Sequence, residues 1–393
     1  MTMATACRRI LFVSHSASLN GASIMLLHTL RWMKRNTNHE LHVLCLGRGP
    51  LLDDYREVAR THLLRNPARL LRGLPEHWSE AIRAIIEKAM SRWLLRRYRF
   101  DLVYANTTAV WRQVTAAAGG HVPVLWHIHE LPYALRLSMG DIRAREILPL
   151  ATRVVAVSAA VREALSGLYA VPAERIDMIH GHVDDDLTVD RQRKAVRTRI
   201  LASLGWPADA FVVGGCGGLG WRKGTDLFLQ VAARCRSATG QPMRFLWVGG
   251  NASSLEAHQF SHDVQRLGLQ DTCQHVPSTP DVLDYYHSMD VFALTSREDP
   301  FPLVMLEAGV RGVPTVCFAS AGGGSEFVDS HAGVAVPYLS LTDFASALLQ
   351  LKHSPELRRQ MGQAARGKVL REHGVDTQGP KLVRSIERCL SLA

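Results

Sequence analysis

Short apolar runs recur about every 25 to 35 residues along the chain, as the strands of an alternating α/β chain do. They fall at 10–14, 41–46, 102–105, 122–128, 153–157 and 176–179, then at 211–216, 244–249, 273–276, 291–295, 314–319 and 333–336. Between them lie stretches whose apolar residues return at helical spacing, such as 23–35, 107–118, 225–238 and 302–311. Strands alternating with helices predict parallel, doubly wound sheets, six strands in each half. At 393 residues the chain exceeds what one core holds, so two α/β domains are expected, 1–190 and 191–393, with the final helix free to pack back on the first. The seam is expected near 184–208, polar and basic from Asp184 to Arg199 and closed by Gly205-Trp206-Pro207. Such sheets bind ligands beyond the carboxyl ends of their strands, which points to the strand-to-helix turns and to a cleft between the domains.

Two turns in the second half carry candidate chemistry. The apolar run 291–295 leads into Glu298-Asp299-Pro300-Phe301-Pro302-Leu303, and the helical pattern that follows carries Glu307 before Gly312 and Pro314 stop it. Pro302 fits the first helical position, where its missing N–H costs nothing. Amides at a helix start, with the helix dipole behind them, attract an anion such as a phosphate. Glu307, about one turn further, suits a sugar or ribose diol, whose hydroxyls a carboxylate accepts. On this segment alone, the alternative is that Asp299 caps the helix and Glu307 is solvated. The second turn follows the run 211–216: Gly217-Gly218-Leu219-Gly220-Trp221-Arg222-Lys223-Gly224 precedes the helical pattern 225–238. Glycines such as Gly218 and Gly220 let backbone approach a ligand closely, and Arg222 and Lys223 are cations suited to a diphosphate. The spacing is neither a P-loop nor the GxGxxG fingerprint.

With these residues in view, the chain resembles the retaining glycosyltransferases of family 4, which have the two-domain GT-B fold. The resemblance covers nearly the whole length. It rests on Asn20-Gly21-Ala22-Ser23, His127-Ile128-His129-Glu130, Val155-Ala156-Val157-Ser158, the Gly220-to-Gly224 loop, the Asp299/Glu307 pair and Gly322-Gly323-Gly324-Ser325-Glu326, in that order. It implies two Rossmann-like domains facing across a cleft and a metal-independent retaining transfer from a nucleoside diphosphate-sugar to a glycan or lipid-linked glycan, in cell-surface polysaccharide synthesis. Arg222 and Lys223 would then hold the donor diphosphate and Glu307 the ribose. Asp299, with Glu298, Phe301, Pro302 and Leu303, would hold the transferred sugar, and His129 would lie near the reacting carbon. Gly21, Gly218 and Gly220 count among the donor-binding positions, and the acceptor is expected near Asn20-Gly21 and the basic segment. No cofactor is implied, the nucleotide-sugar being substrate. The sequence departs from the family's pattern in three places: Gly218 stands where an Arg is usual, Asp299 where Glu is usual, and Pro300 and Pro302 replace glycines, removing amide donors. Two other readings are a nucleotide-sugar epimerase on the same fold and a non-catalytic, membrane-associated nucleotide-sugar-binding protein.

Charge adds one element. The formal net charge is +10, and ten Lys/Arg between Arg60 and Arg99 face only Glu76, Glu80 and Glu87. Ile82, Ile85, Ile86, Met90, Trp93 and Leu94 recur there at helical spacing, so one apolar stripe with a basic remainder is expected. Such a helix either packs by its stripe with solvated arginines or docks on an anionic membrane surface near a lipid-linked acceptor. Nucleic acid is not expected as a partner, because no recognition motif accompanies the charge. No apolar run approaches membrane-spanning length, and the first nine residues are too short and polar for a signal peptide. The seven cysteines are scattered without CxxC spacing, which fits reduced core thiols and a cytoplasmic protein, peripheral on the membrane in the second reading of 60–99. Two metal readings are weak: His127 and His129 alternate on one strand face with no third ligand, and Asp184-Asp185-Asp186 falls where the first domain ends. No metal is expected.

Overall fold

In a computed structural model the protein is described over residues 6–64, 76–184, 193–238, 243–329 and 331–392. It divides into two compact units, Met1–Gly181 with Val375–Ala393, and His182–Gly374. The first division point thus precedes residue 190, and the last helix belongs to the first unit. Asp185, Asp186 and the position 190/191 lie outside the described residues.

The first unit holds a parallel seven-stranded sheet in the order β3-β2-β1-β4-β5-β6-β7. Its strands are β1 (Arg9–Ser14), β2 (Glu40–Cys45), β3 (Arg60–Leu63), β4 (Leu102–Asn106), β5 (Val124–Ile128), β6 (Arg153–Ala156) and β7 (Ile176–Met178). Six follow the apolar runs. The seventh, β3, corrects the expected count of six: it reads Arg-Thr-His-Leu, an edge strand with no apolar run to reveal it. Helix Val375–Ser391 closes this unit, burying Leu382, Val383, Ile386 and Cys389 against Ile10, Leu26 and Leu30. Trp32 Nε1 donates to Asp376 at 2.6 Å and Ser385 Oγ to Asp177 at 2.6 Å, so its polar groups are also paired there. Gly379 is required at this crossing, because a Cβ would meet the Trp32 ring at 2.6 Å.

The second unit holds a parallel six-stranded sheet in the order β10-β9-β8-β11-β12-β13. Its strands are β8 (Val212–Cys216), β9 (Arg244–Val248), β10 (Cys273–Val276), β11 (Val291–Leu294), β12 (Thr315–Phe318) and β13 (Gly333–Val336), one for each apolar run. Both units are doubly wound Rossmann-like folds. In each, the strand order reverses beside the first strand of the unit, at β1/β4 and at β8/β11, and ligands of such sheets sit above those reversals. All seven cysteines are free and six are buried. No described helix is long and apolar enough to cross a membrane.

Candidate functional site

The β8/β11 reversal gathers most of the candidate residues. After Cys216 the backbone turns through Gly217 and Gly220, at φ +134° and +145°, makes one 3-10 turn over Trp221–Lys223, and enters helix Thr225–Ala238 through Gly224 at φ +65°. Gly224 cannot be replaced: a Cβ would stand 2.0 Å from the Thr295 carbonyl oxygen. That tight contact fastens the glycine loop to the segment after β11. Thr295 Oγ1 donates to Gly224 O at 3.0 Å, and the Arg297 amide donates to Arg222 O at 2.9 Å. Arg297 also spans Asp226 with two bonds of 2.8 and 2.7 Å and lies over the Trp221 ring.

Asp299 is the centre of this weave. Its buried carboxylate meets Lys223 Nζ at 2.6 Å, accepts from Ser296 Oγ at 3.0 Å and faces Arg222 Nη1 at 3.9 Å. Burial pushes the carboxyl up, but Lys223 first and then Arg222 pull it further down, so it stays ionised below the usual carboxylate range. Arg222 also donates to the Glu298 carbonyl at 2.9 Å. The side chain of Asp299 therefore does not cap the next helix, whose N-cap is Pro302 with no side-chain bond. This corrects the expected place of Pro302 by one position: Leu303 opens the helix Leu303–Val310. Phe301 is buried against His373, and the Gly323 amide donates to Pro300 O at 3.0 Å. Gly218 is exposed, with open space around the position a Cβ would take.

Glu307 is half-buried, and Tyr286 OH donates to its Oε2 at 2.7 Å. Burial raises its pKa, against Tyr286 and Arg311, which lower it. Tyr286 and Cys216 also interact, so Glu307 reaches the end of β8 where the glycine loop begins. The six positions Arg222, Lys223, Glu298, Asp299, Phe301 and Glu307 thus surround one strand reversal. The sequence did not single out Ser296, Arg297 or Tyr286. The first two sit in the same polar run as Glu298, which was a usable signal; Tyr286 lies 21 residues from Glu307 and offered none.

The first unit has its own cluster above β1/β4. Asn20 accepts from the Ser23 amide at 3.0 Å and so caps helix Gly21–Asn36, with Gly21 exposed at its first position. Asn106, at the end of β4, donates to Ala22 O at 3.1 Å, and its Oδ1 meets His129 Nε2 at 2.9 Å. Glu130 accepts from the amides of Thr108 and His129 at 3.0 and 2.9 Å, fixing the turn after β5. Burial, and secondarily His15, lower the His129 pKa to about 3, so the ring is neutral at physiological pH. His127 Nδ1 pairs with Tyr104 OH, and the two histidine rings lie 4.2 Å apart. Among the described residues no group of three or more His, Cys, Asp or Glu is placed to hold a metal ion.

Comparison with known proteins identifies the family. Residues 196–368 match Glycosyl transferases group 1, and residues 19–187 match Glycosyltransferase Family 4. The chain belongs to the family 4 glycosyltransferases. It is similar to the D-inositol 3-phosphate glycosyltransferase of Saccharomonospora viridis, 30% identical over 284 residues, which are 70% of this chain and 62% of that protein. The enzyme of the same description from Kribbella flavida is 26% identical over 261 residues, 62% of this chain and 61% of the other. The chain thus spans about three fifths of the length of these curated relatives. The crystal structure of Anabaena HepE in complex with UDP-glucose is similar in fold, with a TM-score of 0.80 at 19% identity over 97% of this chain and 100% of that one.

Proposed function

We propose that this family 4 glycosyltransferase moves a sugar, with retention and without a metal or cofactor, from a nucleoside diphosphate-sugar to a glycan or lipid-linked glycan acceptor in cell-surface polysaccharide synthesis at the cytoplasmic membrane face. The observation that carries the donor half is the convergence of Arg222, Lys223, Asp299 and Glu307 on one strand reversal. As the bond from the sugar to the diphosphate breaks, positive charge grows on the ring and negative charge on the departing phosphate oxygen. Arg222 and Lys223 answer the second charge, aided by the start of helix Leu303–Val310. Asp299, ionised and held by Lys223 and Ser296, receives hydroxyls of the transferred sugar, with Glu298, Phe301, Pro302 and Leu303 beside it. Glu307 takes the ribose diol through the carboxylate oxygen that Tyr286 leaves over. Gly218 and Gly220 give the diphosphate backbone room. In the first unit, His129 serves the transferred sugar as a neutral hydrogen-bonding group, Gly21 completes the donor contacts, and the acceptor binds near Asn20-Gly21.

Incubating the protein with UDP-, GDP- and ADP-sugars, with and without a lipid-linked acceptor, tests this. One nucleoside diphosphate should be released faster when acceptor is present, and the rate should survive EDTA. A donor at 100 times its dissociation constant should also raise unfolding stability by about 2.7 kcal/mol. Absence of both release and stabilisation with every donor would sink the reading, and an EDTA-sensitive rate restored by Mn²⁺ would sink its metal independence.

A further inference from the structure

At the opposite end of the second sheet's strands lies a recess that the donor reading does not use. Asp290 directly precedes β11, and Arg311 and Gly312 join helix Leu303–Val310 to β12, so this recess sits at the amino ends of the strands. Its volume is about 440 Å³, within the range of small-ligand sites. Five arginines line it, Arg193, Arg311, Arg358, Arg359 and Arg366, against one acid, Asp290. Their ionic partners extend the balance. Arg197 and Arg358 share Asp290 at 3.0 and 4.0 Å, Glu356 pairs with Arg359 at 2.7 Å and Glu307 faces Arg311, which gives six guanidinium groups and three carboxylates among the described residues named here.

The cations are held in place. Arg311 is buried, donates to Glu307 O at 3.0 Å and lies over the Tyr286 ring. Arg358 donates to Leu351 O at 2.6 Å and lies over Phe211. Arg193 donates to Arg311 O at 3.0 Å. Carbonyl and aromatic contacts fix a guanidinium without cancelling its charge, and the carboxylates that Arg358 and Arg311 also face, Asp290 at 4.0 Å from Arg358 and Glu307 beside Arg311, are fewer than the guanidinium groups around the recess. Helix Pro355–Glu372 supplies the rest: 355, 358, 359, 363 and 366 follow one helical face, and its first turn, with Pro355 leading, adds the positive end of the dipole. Planar forks in fixed positions around a recess of this size match several phosphate oxygens at once.

We propose that this recess binds a compact polyanion carrying two or three linked phosphates, separately from the donor site. The probes are sodium tripolyphosphate, ATP and inorganic phosphate, titrated calorimetrically into the full chain at about 0.15 M salt, where exposed charges beyond about 8 Å are screened. Tripolyphosphate, ATP or both should bind, inorganic phosphate much more weakly, and the tripolyphosphate and ATP arms separate a free polyphosphate from a nucleotide as the source. Arg359→Gln/Arg366→Gln, both on one solvent-facing helix stripe, should weaken the binding about tenfold or more, as expected when charge-assisted contacts are lost. Arg222→Ala should leave it within about twofold, because that residue belongs to the other end of the sheet. If the double variant is not folded by circular dichroism, the two single variants stand in for it. No binding of any probe would overturn the proposal. So would binding that survives the loss of Arg359 and Arg366 but falls with Arg222→Ala, which would put the anion in the donor loop and leave the donor reading intact.

Discussion

Lys223 and Asp299 show how one pair can carry both structure and chemistry. A buried carboxylate is tolerated only with a partner, and Lys223 Nζ at 2.6 Å is the nearest one here. Removing the amine leaves Asp299 buried with Arg222 at 3.9 Å, so Lys223→Ala should cost about 3–5 kcal/mol of stability as well as turnover. Arg222 is more exposed, and Arg222→Ala should keep the fold while lowering turnover by roughly 10²- to 10³-fold, as when one transition-state charge contact is lost. Urea unfolding and donor turnover on both variants separate the two effects; a near-normal rate in Arg222→Ala would take this loop out of the reaction. Glu307 allows a cleaner test. Glu307→Gln keeps a carbonyl oxygen for Tyr286 and replaces the other oxygen by an amide donor, so nucleotide affinity should fall by about 1–3 kcal/mol. Burial raises the Glu307 pKa, so wild-type affinity should also decline as pH falls through that raised value and the carboxylate is lost. Calorimetry that finds equal nucleotide affinity in wild type and Glu307→Gln ends the ribose assignment.

Elements differ in how openly the sequence announces them. β8 and β11 are buried on both faces, so they read as unbroken apolar runs, whereas β10, Cys-Gln-His-Val, and β13 are only partly buried and were legible from the regular spacing of the runs. The turns after them were legible through glycine and charge. Which partners those charges choose was not, because Lys223 and Asp299 lie 76 residues apart and only the strand order brings them together. β3 was hidden because an edge strand needs no apolar run. Helix Glu76–Tyr98 departs from its expected single stripe: Leu94 is buried, but Ile85 and Trp93 are 67% and 57% exposed. The inner face instead buries Glu87 and Ser91, with Arg112 at 3.7 Å from Glu87. Residues 65–75 of the basic segment lie outside the described residues. Exposed Ile85 and Trp93 beside exposed Lys88, Arg92, Arg96 and Arg97 suit an anionic bilayer, where each cation contributes about 1 kcal/mol. The protein should therefore co-sediment with liposomes containing anionic lipid and not with neutral ones, and the binding should fall as salt rises. Replacing Arg92, Arg96 and Arg97 by Gln should abolish it while changing stability little. Equal partitioning onto both liposome types, or none onto either, would return this helix to the solvated reading.

At the scale of the whole molecule, the histidines whose pKa is lowered by partial or full burial set how stability responds to acid. Burial lowers the pKa of His15, His39 and His42, takes His62 to about 4 and takes His129 to about 3. In the unfolded chain these rings bind a proton near pH 6.5. Between that value and the folded ones, the unfolded state therefore holds more protons, so stability rises with pH across the window and falls on acidification. Each strongly shifted ring adds at most about 1.4 kcal/mol per pH unit, and the partial exposure of His62 and His129 keeps the sum below that ceiling. Glu307 acts in the opposite sense, since its raised carboxyl binds a proton more readily in the folded state and favours folding at lower pH. It is one group against five. Asp177, Asp226 and Asp299 are held below the usual carboxylate range, so the stability they contribute is fully present above the unfolded value of about 3.9 and is lost only below it, outside the interval from pH 7.5 to pH 5.0. Urea unfolding followed by circular dichroism at pH 7.5 and pH 5.0 should therefore give a lower midpoint at pH 5.0. His62→Phe should shrink the difference, because Phe keeps the ring beside His42 and Tyr98 and removes a group whose charged form burial, His42 and Arg60 disfavour. A midpoint that is equal or higher at pH 5.0 would mean that these rings accept protons without unfolding, and that their burial does not control the acid response.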